Sequence, residues 1–133
     1  VAFITTGILS NRAMAAADEL KAEGINVSVL HMHTVKPLDE GAIMKAARRA
    51  SLVVVAEEHS RIGGLGSAVT DLLAGSFGAG GPQILTLGVP DVFTDKYGSQ
   101  DDLLEIYGLQ PQQLAQSVRD AVSSSSPITA VGG

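Results

Sequence analysis

Residues Leu52, Val53, Val54, Val55 and Ala56 form a run that is apolar at every position. A strand with one wet face alternates apolar and polar side chains, so an unbroken run is the pattern of a strand covered on both faces. That points to a mainly parallel sheet held between two layers of helix. Three further short β-rich runs accompany it, at 1–6, 27–31 and 84–89. Helical periodicity marks 11–22, 39–50 and 65–76, then a short segment near 101–107, and finally 111–122. In the first of these Ala13, Ala16, Ala17 and Leu20 recur at i, i+3, i+4 and i+7, while Arg12, Asp18, Glu19 and Lys21 lie off that stripe. Ser10 or Asn11 is placed to cap its start and Gly24 its end. Asp39 is placed to cap the second helix, and Arg48 and Arg49 complement the dipole at its close. The alternation of strand and helix predicts an α/β fold, a three-layer α/β/α sandwich around a mostly parallel sheet of four to five strands. One domain is expected over residues 1–122, followed by a flexible tail of Ser, Gly and other small residues over 123–133.

Composition removes several functions. The 133 residues include 9 Lys and Arg against 14 Asp and Glu, a net charge of -5, so no positive field covers the chain to hold a phosphate backbone. The aromatic residues Phe3, Phe77, Phe93, Tyr97 and Tyr107 are scattered singly and build no stacking platform. No nucleic-acid partner is expected. The longest apolar runs, 13–17 and 52–56, are far shorter than the roughly 18 residues of a membrane span, so no membrane partner is expected either. With no cysteine the chain has neither disulfide nor thiolate chemistry, in keeping with a cytoplasmic location. It begins directly with Val-Ala-Phe-Ile, which predicts a fragment of a larger protein.

In parallel α/β sheets ligands bind outside the carboxyl ends of the strands. Four segments are expected to meet there: Thr5-Thr6-Gly7, His31-Met32-His33-Thr34, Glu57-Glu58-His59-Ser60 and Gly88-Val89-Pro90-Asp91. Gly63, Gly64 and Gly66 precede a helix and are candidates for presenting backbone amides to an anion; the alternative is a tight turn with close helix packing. The dinucleotide fingerprint fails, since Val69 stands where its third small residue belongs, and no Gly-Lys-Ser/Thr phosphate loop occurs. His31 and His33 share one face of an extended chain and His59 can approach them, but a lone His-x-His is a weak metal signal and no metal is expected. Glu57 and Glu58 are neighbours, which on a strand sends them to opposite faces, so they make no acid/base pair. One is expected to take a structural hydrogen bond and the other to sit at the edge. Ser60, His59 and Asp91 can be written as a triad, yet no Gly-x-Ser-x-Gly elbow accompanies them.

The stretch from Glu57 to Val69, read EEHSRIGGLGSAV, resembles the EEHS-x-x-GG-x-GSAV signature of the C-terminal domain of transketolase-like, thiamine-diphosphate-dependent enzymes. Thr34-Val35-Lys36-Pro37-Leu38-Asp39 is similar to that family's Lys-Pro-Leu-Asp segment. Gly88-Val89-Pro90-Asp91-Val92-Phe93, Gly98-Ser99 and the stretch Leu103 to Leu109 resemble its later motifs. The resemblance covers about 1–122. It implies an α/β/α sandwich of about five strands, one of them antiparallel and supplied by a preceding linker. It also implies that thiamine diphosphate and Mg2+ are held elsewhere in the complete enzyme, none by this domain alone, so no catalytic residue is carried over. The implied partners are the pyrimidine-binding domain or subunit of the same enzyme and a second copy in a homodimer. Glu58, His59, Ser60 and Arg61 are the candidates for interdomain or substrate contact. Within the family the wording at His59-Ser60 and Tyr107-Gly108-Leu109 resembles split-subunit transketolase most, with 1-deoxyxylulose-5-phosphate synthase next and the β subunit of a 2-oxoacid dehydrogenase E1 component further off. A free-standing module binding a small anion is the alternative of another class.

Overall fold

The computed structural model describes residues 1–7, 9–32, 38–60, 64–90 and 104–132, with backbone alone at 58–60, 89–90 and 124–132. Its strands are β1 (Ala2–Thr5), β2 (Ser28–His31), β3 (Leu52–Ser60) and β4 (Gln83–Pro90). Its helices are α1 (Leu9–Ala22), α2 (Glu40–Arg48), α3 (Leu65–Phe77) and α4 (Pro111–Gly132), with a short 3-10 turn at Gly78–Gly80. The four described strands form one parallel sheet in the order β2-β1-β3-β4.

The uniformly apolar run is central, as its pattern requires. Successive side chains of β3 point to opposite faces. Leu52, Val54 and Ala56 join Phe3 in one layer with Leu9, Ala13, Ala16 and Leu20 of α1 and Leu114, Ala115 and Val118 of α4. Val53 and Val55 join Ile4 in the other layer, with Ile43 and Ala47 of α2 and Leu65, Val69 and Leu73 of α3. Each fully buried Leu or Phe side chain in these layers contributes about 1.5–3 kcal/mol. The small residues on the inward stripe of α1 leave room for α4 beside it, and Arg119 of α4 clasps Glu19 of α1 and Glu23 in the turn just beyond it.

The expected caps at Asp39 and Gly24 are present. An oxygen of Asp39 accepts the Ala42 amide at 3.1 Å. Gly24 takes φ 84°, a left-handed turn that costs glycine nothing, while Gly24 N–H bonds Lys21 and Ile25 N–H bonds Leu20, both at 3.0 Å. Several boundaries differ from the sequence expectation. Helix α1 starts at Leu9, which moves Ser10 from a capping position into the first turn. Strand β3 runs past Ala56 to Ser60, because β4 continues alongside it and supplies partners for a polar stretch. Helix α4 runs beyond Val122 to Gly132. Among the described residues no helix is long and apolar enough to cross a membrane.

Candidate functional site

Parallel register brings the described parts of the anticipated segments to one edge. Thr5 lies opposite both His31 and Ala56, and Glu57 lies opposite Gly88. The chain leaves β1 toward β2 on one side and then crosses to β3 on the other, so the order reverses between β1 and β3. The crevice of such a fold opens at that reversal. At that edge stand Thr5, which closes β1, Thr6 and Gly7 just beyond it, and the end of β3. Gly7, at φ 60°, makes the left-handed turn that lifts the chain off the strand toward α1.

Between Glu57 and Ser60 the pairing of β3 with β4 shifts register: β3 advances three residues while β4 advances two, from Gly88 to Pro90. The extra residue is a bulge, a device found repeatedly beside active sites. It falls on Glu58 and His59, two of the contact candidates, and their backbone and that of Ser60 lie at the carboxyl edge. Arg61 and Gly63 are outside the described residues, as are His33, Thr34 and Asp91.

Glu57, the first of the Glu pair, is buried, only 6% exposed. Its carboxylate accepts the amide of Leu65 at 2.9 Å and that of Gly66 at 3.3 Å, the opening amides of α3. Such amides have no partner within their own helix and carry its positive end. The Gly66 amide, a candidate for an outside anion, therefore faces an anion from within the chain. Gly64 is the residue preceding α3, in extended conformation. The close-packing reading of the glycines has direct support at 66, where an added Cβ would stand 3.3 Å from Thr86 Cγ2.

A second polar cluster escaped sequence reasoning. The buried hydroxyl of Thr5 bonds the hydroxyl of Ser10 at 2.7 Å, and Ser10 in turn bonds Nδ1 of His31. Three elements, β1, α1 and β2, are joined by it at the carboxyl edge. Ser10 and His31 are 21 positions apart, so only their shared strand-end location could have suggested the pair. Thus His31 is engaged by a hydroxyl, and among the described residues no three His, Cys, Asp or Glu side chains gather to hold a metal ion. A cavity of about 300 Å³ lies away from this edge, between β2 and α2, lined by Val29, Leu30, Ala42, Lys45 and Arg49 among others.

This architecture recurs in known proteins. The family model for the transketolase C-terminal domain matches residues 1–114. The chain belongs to that family. A 6-deoxy-6-sulfo-D-fructose transketolase subunit of a Clostridium species is 40% identical over 121 residues, 90% of this chain and 36% of that protein. A 1-deoxy-D-xylulose-5-phosphate synthase of Syntrophotalea carbinolica is 40% identical over 114 residues, 86% of this chain and 18% of that enzyme. The chain thus spans about a third or less of the length of such relatives. Among solved structures, a split-gene transketolase in the form of an inactive beta4 tetramer superposes with a TM-score of 0.80 and 38% identity, over 92% of this chain and 39% of that one. The expected fold class and family are both borne out.

Proposed function

We propose that this chain is the C-terminal domain of a cytoplasmic transketolase that moves a two-carbon ketol unit between sugar phosphates. In this reading the domain packs against the pyrimidine-binding domain or subunit and contributes to a homodimer, and reacting groups lie outside it. The likeness to a split-gene transketolase over 92% of the chain carries the reading. Two features of the fold support it. The bulge in β3 turns the backbone of Glu58 and His59 at the carboxyl edge, where a neighbouring domain can reach them. Strand β2 is an edge of the described sheet, open to the fifth strand that the resemblance implies.

Thiamine diphosphate with Mg2+ supplies the carbanion chemistry of such an enzyme. The described residues do not fit that cofactor, because they bring together no metal-holding set and the α3 amides at 65 and 66 already bond Glu57. What these residues do is satisfy one another, Glu57 with α3 and Thr5 with Ser10 and His31, which suits a packing role at the rim of a site.

The complete enzyme, assayed with thiamine diphosphate and Mg2+, is expected to transfer ketol units. His59→Ala is expected to weaken dimerisation, substrate affinity or turnover about tenfold, roughly the loss of one good interfacial contact. Unchanged values for all three would remove Glu58, His59, Ser60 and Arg61 as contact residues. The 40% identical 1-deoxy-D-xylulose-5-phosphate synthase favours a second reading. Formation of that sugar phosphate by the complete enzyme, without ketol transfer, would select it.

A further inference from the structure

The carboxylate of Glu57 sits where α/β proteins commonly seat an external anion, at the N-terminus of a helix beside the carboxyl edge of a sheet. The seat is shaped for it. Both carboxylate oxygens are used, one on Leu65 N–H and one on Gly66 N–H, and the side chain is buried. Residue 66 has little spare room in this arrangement, since a Cβ there would be in contact with Glu57 Oε1 at 3.6 Å and would crowd Thr86 Cγ2 of β4 at 3.3 Å.

We propose that Glu57 is the built-in anion of α3: a positioning residue that fastens this helix to the end of β3 and denies its N-terminus to the phosphate of a sugar-phosphate substrate. The fastening is independent of the enzyme's activity, whereas the exclusion of substrate phosphate rests on the transketolase reading. Two amide donors face this group, and only a carboxylate offers each an acceptor oxygen. A glutamine supplies one oxygen and turns its own NH2 toward the other donor. Truncation to alanine removes a fragment of the size and charge of acetate.

Amide NMR of the full chain tests this directly. In the wild type, Leu65 and Gly66 N–H should exchange slowly with solvent, although opening helical amides ordinarily exchange fast, and inorganic phosphate should leave both signals unmoved. In Glu57→Ala both amides should exchange at least about tenfold faster, the loss of a buried hydrogen bond to a charged group. Added acetate should then shift both signals saturably and restore slow exchange, while acetamide should do neither. Glu57→Gln should protect at most one of the two amides, and this variant with the wild type decides the matter if the alanine variant does not fold. Fast exchange of both amides in the wild type, movement of those signals by phosphate in the wild type, or full protection in Glu57→Gln would each overturn the proposal. Absence of ketol transfer in the complete enzyme would refute the functional reading instead, leaving the exchange and acetate results to judge the fastening role.

Discussion

Leu114 of α4 and Leu73 of α3 are 0% and 2% exposed and lie on opposite faces of the sheet. Leu114 shares its layer with Phe3, Leu9 and Val54, and Leu73 shares its own with Ile43, Val53 and Val55; the two layers have no buried residue in common. Truncating a buried leucine to alanine loses its transfer free energy and leaves a cavity, about 2–5 kcal/mol in all. Sheet and helix backbone enclose both sites and limit collapse, so about 3 kcal/mol is expected for each. A chain of 133 residues has a total stability of roughly 7–20 kcal/mol at ordinary per-residue values. Each single variant should therefore remain folded at room temperature, and the double variant should lose about 6 kcal/mol, near half of the total. Because the sheet separates the sites, their coupling should stay below about 0.5 kcal/mol. Urea unfolding followed by circular dichroism measures this, each single change lowering the midpoint by about 1.5 M with the slope unchanged, for a slope of about 2 kcal/mol/M. A coupling above about 1 kcal/mol, or a single loss under about 1 kcal/mol, would refute the picture of two closed layers.

Arg119→Ala should loosen α4 from α1 in a pH-dependent way. Hydrogen bonding from Arg119 holds the Glu23 carboxyl below its ordinary value of 4.5, so the stability it brings is present above that pH and is lost as acid protonates Glu23. The difference in Tm between wild type and variant should be largest near neutral pH and close below about pH 4.5; a difference undiminished at pH 3 would count against the clasp. Asp39→Ala should remove the side-chain cap of α2 and cost about 1 kcal/mol, a drop in Tm of about 4 °C. Asp39→Asn, which retains an acceptor oxygen, should recover most of that loss in the same thermal scan.

Much of the architecture follows from local pattern. The unbroken apolar run at 52–56 called for a strand covered on both faces, the spacing of Ala13, Ala16, Ala17 and Leu20 called for a one-sided helix, and Asp39 and Gly24 marked helix ends by conformational and hydrogen-bonding preferences that act over a few residues. The signature around Glu57 to Val69 carried the family. Other features depended on which distant segments become neighbours. The order β2-β1-β3-β4, and with it the crevice between β1 and β3, comes from long-range pairing. The polar end of β3 reads as a loop by composition and is a strand because β4 runs beside it, with the bulge at Glu58 and His59 set by their mutual register. The partner of Glu57 was likewise open until the position of α3 resolved it: its carboxylate meets two helix amides that need an acceptor. Ser10 reads as a cap within its own segment, yet its hydroxyl meets Thr5 and His31, and Arg119 finds partners 96 and 100 positions away. Periodicity and capping are short-range properties that a single chain displays in its order of residues, whereas the partner of a buried polar group is whatever the packed layers bring within about 3 Å of it.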